Sequence, residues 1–191
     1  MSYITQDDIK YYLVNNSDQY NPTDFDTNLL NTLIESTCFF VENYIGTPIE
    51  QKSVTSYLTV KQTNKIFLPY QPVQSVTSIA NADSTYTYQE MDLSDFILFK
   101  GEGLLIYKKG ELNTLDNGLK VDYVAGFDSV PSDLKGVTCE LVYLLYQKIR
   151  NGTLDTSYMS NFRENVAFPQ ENKILMPHHR KILDIYRMRL R

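Results

Sequence analysis

Residues 119–149 read LKVDYVAGFDSVPSDLKGVTCELVYLLYQKI, and the reading of this stretch decides the fold. Its opening residues alternate between apolar and polar side chains, as in a strand with one buried face. The chain then turns through Ala125-Gly126-Phe127-Asp128, where Gly126 is free to take a positive φ. Pro131 suits a first helical turn, and Ser129 or Ser132, with Asp133, is placed to cap the free N–H groups there. From Leu134 the apolar residues Leu134, Val137, Leu141, Leu144 and Leu145 recur at helical spacing, and Val142, Tyr143 and Tyr146 widen the stripe nearly all round. Such a helix belongs at the centre of a bundle.

Upstream, from about Val54 to Val124, the period is two. TSYLTV, KIFLP, VQSVTSIA, TYTYQ, FILF, LLIY and LKVDYV are short strand candidates, separated by turn signals such as Asn81-Ala82-Asp83, Gly101-Glu102-Gly103 and Asp116-Asn117-Gly118. Pro69 and Pro72 confine their segment to an edge or a bend. Before the strands, residues 26–45 carry a stripe of Leu30, Leu33, Ile34, Thr37, Val41 and Tyr44 that ends at Gly46 and Pro48, the expected order of a helix stop. Asp24 and Asp26 read as caps for that helix, since the glycine and terminal Glu of a calcium loop are missing. A shorter helix over 5–14 opens with Thr5 and Asp8 in capping-box spacing, with Ile4 and Ile9 as a staple, and Asn15 to Thr23 reads as loop.

Downstream, Asn151-Gly152 stops the central helix, and the polar run Thr153 to Lys173 reads as an extended arm. Pro177 opens a last helix in which Ile182, Leu183, Ile185, Tyr186 and Leu190 face one way. The expected fold is therefore mainly α (α+β). It is a helical bundle built on the central helix at about 131–150 and the helix pair 5–14 and 26–45, with an antiparallel β region inserted at about 54–124. A body of residues 1–150 is followed by a C-terminal arm, 151–191, that ends in a basic helix.

A chain of 191 residues can bury a real core. Its hydrophobic fraction of 42%, with no apolar run near 18 residues, points to a soluble protein without a membrane span. MSYITQDDIK has neither the basic nor the apolar region of a secretory signal. Cys38 and Cys139 sit within helical patterns and read as reduced core thiols, while 15 tyrosines with no tryptophan suit interfaces. Charge is unevenly placed: residues 1–50 hold one lysine against eight acids, net −7, whereas residues 173–191 hold six basic residues against one acid, net +5. The basic tail suggests a partner for it.

Catalytic motifs are missing. The sequence contains no Walker-type glycine loop, G-x-G-x-x-G, G-x-S-x-G, C-x-x-C or H-E-x-x-H. His178 and His179 are adjacent, point about 100° apart on a helix and read as a surface pair at a helix start. No catalytic, metal or cofactor-binding residue is expected, and an acidic chain without a recognition motif argues against sequence-specific nucleic-acid binding.

A strand ending in V-x-Y-x-A-G, then V-P-x-D-L-K and a long apolar helix, resembles the head–tail connector (adaptor, or head-completion) proteins of tailed bacteriophages. MSYITQDDIKYYL, DTNLLNTLIESTCFFVENYIG followed by Thr47-Pro48, and IFLPYQPVQSVTSI are similar to that family in the same order, over residues 1 to 150. The resemblance implies a ring that follows the twelvefold symmetry of the portal, between the portal protein and the next neck or tail-completion protein. It implies a structural virion protein without catalysis or cofactor, at the head–tail interface after assembly in the host cytoplasm, that extends the DNA channel, helps retain the packaged genome and provides the tail-attachment platform. Double-stranded DNA passes such a channel non-specifically, and an acidic wall lets it slide. Portal contacts are expected from Arg180, Lys181, Arg187, Arg189 and Arg191. The alternatives are another neck or tail-completion protein, or a small enzyme or ligand-binding domain with a site assembled from scattered residues.

Overall fold

The computed structural model describes residues 2–16, 26–152 and 175–187. Of the loop expected at 15–23, Asn15 and Asn16 extend the first helix, and the rest lies outside the described residues, as do Asp24 and the extended arm at 153–173. The described elements are α1 (Gln6–Asn16), α2 (Thr27–Ile45), β1 (Lys52–Leu58), β2 (Lys65–Phe67), β3 (Val73–Ala82), β4 (Tyr88–Glu90), a 3-10 turn (Leu93–Asp95), β5 (Phe96–Phe99), β6 (Leu104–Tyr107), β7 (Leu119–Ala125), α3 (Ser132–Arg150) and α4 (Pro177–Tyr186). They fall into two compact units, Met1–Gly46 with Val130–Arg187, and Thr47–Ser129.

The expectation of a mainly α helical bundle with a β insertion is corrected. The described residues are 38% helix and 26% strand, an α+β fold with four helices and two antiparallel sheets. The physical reason is that the strands do not decorate a helical body but close around a core of their own. A four-stranded sheet has the order β1-β7-β3-β4, and a three-stranded sheet the order β2-β6-β5. β7 alternates strictly, burying Leu119, Val121, Tyr123 and Ala125, and these cluster with Ile66, Leu68, Phe96, Leu105 and Leu112 from the smaller sheet and its loops. The Tyr123 ring carries its hydroxyl into this core, where it pairs with Ser56 Oγ at 3.1 Å and accepts the Tyr70 N–H at 3.3 Å. Burial pushes that phenol's pKa up.

In the helical unit, Thr5 and Asp8 form the reciprocal cap: the Thr5 N–H donates to Asp8 Oδ2 at 2.8 Å, and the Asp8 N–H to Thr5 Oγ1 at 3.2 Å. Asp26 caps α2 by accepting the N–H groups of Asn28 and Leu29, and Gly46 closes it at φ +78°. α3 departs from expectation at its start. Pro131 is the cap residue and makes no side-chain cap bond, while Asp133 Oδ1 accepts the Leu134 N–H at 2.9 Å and also the Tyr186 hydroxyl. Cys38 and Cys139 are buried free thiols, pushed up to about 12 by burial. Packed among them, Thr138 donates to the Leu134 carbonyl at 2.7 Å and pairs with the Tyr3 hydroxyl at 2.7 Å.

Gly126 has φ +120°, and a Cβ there meets the Glu50 carbonyl oxygen at 2.3 Å. Gly136, inside α3, has open space around it. Chemical denaturation should therefore separate the two. Gly126→Ala is expected to destabilise by on the order of 3 kcal/mol, and Gly136→Ala to stabilise by about 0.5–1 kcal/mol.

Candidate functional site

The basic C-terminal helix is the one feature to which the sequence assigns a partner. α4 starts at Pro177, and the backbone N–H of Met176 donates to His179 Nδ1 at 3.1 Å, so a histidine closes the first turn where Glu or Gln is usual. That bond fixes the tautomer: Nδ1 accepts, so Nε2 carries the hydrogen. His179 Nε2 lies 3.1 Å from Oε2 of Glu140 on α3, and His178 Nε2 lies 3.1 Å from Oε1 of the same carboxylate. One acid thus receives both histidines. The surface position expected for the pair holds for His178 alone, because His179 is fully buried.

Glu140, His178 and His179 bring their ligand atoms within 4.8 Å of one another, as a metal site requires. The donor set does not fit one. A metal-bound histidine offers a bare nitrogen and donates its other N–H outward, whereas Nδ1 of His179 faces an N–H donor and leaves Nε2 protonated. The cluster fits a polar clasp, in which His178 is hydrogen-bonded to Glu140 and His179 Nε2 lies against the same carboxylate.

Two more polar contacts hold α4. The Tyr186 hydroxyl donates to Asp133 Oδ1 and Oδ2 at 2.9 and 2.8 Å, and burial, with that carboxylate beside it, pushes the phenol up to about 12. Tyr44 on α2 donates to Asp184 at 2.9 Å, and its ring carries the Arg187 guanidinium 5.3 Å from the centroid. Leu183 and His179, one turn apart, form the buried face of α4. Ile185, expected on that face, is 72% exposed, since it lies about 200° around the helix from Leu183.

Of the basic residues singled out in the sequence, Arg180, Lys181 and Arg187 are exposed on or just after α4. Arg189 and Arg191 lie outside the described residues. In the sheet unit, a cleft of about 320 Å³ is lined by residues that include Gln74, Ser75, Leu93, Phe96 and Lys100. Lys100 is the one ionisable group among its lining residues, so the cleft offers no paired acid and base.

The polar side chains described here join α4 to α2 and α3. Solved structures with the same fold bear on the class. A chain from the neck of an empty gene transfer agent (GTA) particle, computed with C6 symmetry, aligns with TM-score 0.66 at 16% identity over 99% of this chain and 92% of that chain. A chain from the virion of a native GTA particle aligns with TM-score 0.66 at 14% identity over 99% and 92%. One from the neck of a native GTA particle, computed with C12 symmetry, gives 0.58 at 17% over 87% and 85%. Comparison with curated proteins returns no match. The sequence model of the family described as "Head completion protein" matches residues 3–189. The chain belongs to the head completion protein family, and it is a structural component of the connection between head and tail.

If Glu140 clasps α4 to α3, Glu140→Ala should leave His179 buried without its carboxylate, a loss on the order of 1–3 kcal/mol. Amide hydrogen exchange over 177–186 is then expected to rise about tenfold or more, with β7 amides unchanged.

Proposed function

We propose that this protein forms a closed ring, twelvefold like the portal, between the portal and the next neck or tail-completion protein. The ring extends the DNA channel, helps retain the packaged genome and presents the platform on which the tail is attached. Assembly takes place in the host cytoplasm, and the protein resides in the virion neck. The observation that carries this reading is the match to the head completion family over residues 3–189, nearly the whole chain. The fold shared with chains from GTA necks computed with C6 and C12 symmetry supports it. Identical subunits with two different complementary surfaces close into rings when the rotation permits.

Within this reading the exposed cations of α4 face the portal. Arg180 and Lys181 are exposed, so they are available to an acidic surface, and Arg187, Arg189 and Arg191 extend the same charge toward the C-terminus. The acids of the N-terminal helices give the ring a negative surface, and where that surface lines the channel it lets DNA pass without adhering.

Removing the C-terminal segment does not test the portal contact cleanly, since Leu183 and His179 belong to the core. Charge reversal does. Arg180→Glu with Lys181→Glu is expected to weaken binding to the portal of the same particle by about tenfold or more, with a flatter salt dependence than the parent. Portal affinity equal to that of the parent, measured by interferometry on folded protein, overturns the assignment.

A further inference from the structure

We infer that the cleft beside β5 is a slot for an added strand, and that residues 162–168 of a neighbouring copy fill it as a fourth strand of the small sheet. The inference rests on the ring assembly proposed above and names the contact that links one copy to the next.

The cleft opens along two strand edges with backbone groups to spare. In the small sheet β5 pairs with β6 alone, so its other edge is free among the described residues. In the large sheet β4 covers β3 only at Ala80, Asn81 and Ala82, which leaves the edge of residues 74–78 uncovered among the described residues. Backbone bonds close the gap at its two ends: the Val73 N–H donates to the Lys100 carbonyl at 2.9 Å, and the Met91 N–H to the Ile79 carbonyl at 2.8 Å. Between them lies the cleft of about 320 Å³. A free strand edge is a template for an extended peptide. A helix, whose N–H and C=O groups bond internally, has none to offer it.

Side chains set what such a peptide must carry. Phe96, Leu98 and Lys100 line the cleft at alternate positions along one strand, and Val76 and Ile79 of β3 line it as well. Lys100, the one ionisable group there, is exposed. Read backward along β5, this face offers a cation and then two apolar side chains. A strand running antiparallel to β5 therefore needs an acid and then two apolar residues, at alternate positions.

The arm of this chain has that order when read with a period of two. Residues 162–168 are FRENVAF, with Phe162, Glu164, Val166 and Phe168 in one set and Arg163, Asn165 and Ala167 in the other. Set antiparallel to β5, Glu164 falls beside Lys100, Val166 beside Leu98 and Phe168 beside Phe96. Pro169, with no N–H for a ladder, ends the run there. The segment belongs to the helical unit and the slot to the sheet unit. Each copy thus carries both halves of a head-to-tail contact, as a closed ring of identical copies requires.

A charge swap between copies tests the contact on the full chain, with circular dichroism to confirm folding. Assembly is followed by light scattering and negative-stain microscopy, alone and on the portal of the same particle. Lys100→Glu and Glu164→Lys are each expected to raise the concentration needed for half-assembly about tenfold or more. An equimolar mixture of the two variants should assemble like the parent, because each slot then meets the opposite charge on a neighbour's arm. In the assembled parent, amides of 96–99 should exchange about tenfold or more slowly than in the unassembled protein. Assembly unchanged in both single variants, or exchange at 96–99 unchanged on assembly, overturns the inference and leaves the ring reading intact. Recovery in a chain carrying both substitutions, without recovery in the mixture, assigns the slot to the arm of its own chain and overturns the contact between copies. No recovery in either overturns the pairing of the segment with β5. Parent protein that stays monomeric at every concentration and on the portal overturns the ring reading itself.

Discussion

One continuous stretch, residues 119–150, supplies the strand on which the sheet unit depends and the helix on which the helical unit depends. β7 is hydrogen-bonded along both edges, to β1 over Lys52–Leu58 and to β3 over a register with two shifts. Its four inward side chains are 1% exposed or less. Such a strand cannot be removed or slipped by one residue without turning Val121 and Tyr123 to solvent. α3 has the same standing among the helices, since α1, α2 and α4 all contact it. The turn between them is held by backbone: the Gly126 N–H donates to the Pro72 carbonyl at 3.0 Å, and its carbonyl accepts from Gln74 Nε2 at 2.7 Å. A side chain at Gly126 collides with Glu50, so the turn has one conformation.

How much of this could be read from the sequence depends on how local each signal is. α2 was legible because its stripe, its Asp26 cap and its Gly46 stop all act within a few residues. The strands were legible as period-two runs, and the Gly101-Glu102-Gly103 turn as the hairpin between β5 and β6. Their division into two sheets was not, since the pairing of β2 with β6 joins residues about forty positions apart and leaves no local trace. That is why a region able to bury its own core read as an insertion in a helical body. His179 was misplaced for a similar reason. Its partner Glu140 is on another helix, and only the i, i+4 relation to Leu183 hinted that it faces inward. Asp133 satisfies a first-turn N–H, that of Leu134, as its place in the sequence suggests, but the sequence gives no sign that the same carboxylate takes the Tyr186 hydroxyl from a helix 53 residues away.

The uneven charge of the chain takes on a different meaning once α4 is placed. A tail of net +5 against a start of net −7 suggests a free basic arm seeking an acidic partner. The structure ties part of that tail to its own unit through carboxylates: Glu140 takes the histidines, Asp133 takes Tyr186, and Asp184 takes Tyr44. Arg187 rests on an aromatic ring of α2. Arg180 and Lys181 remain turned to solvent, and they carry whatever steering the helix exerts on an outside surface. The basic helix is thus anchored by its polar and apolar residues and charged on its outer side.

A structural protein of this kind has its specificity in surfaces, and the two sheets show how one fold keeps them apart. A face left in water must satisfy its polar groups, which the Asp122 network does with two hydroxyls and a lysine. The small sheet instead exposes Phe67, Ile97 and Phe99, apolar area that water covers at a cost. Apolar contact alone gives affinity without direction, and it would let two small sheets meet face to face as a twofold dimer. Among identical copies, the charged groups around such a surface decide between a twofold pair and a head-to-tail contact.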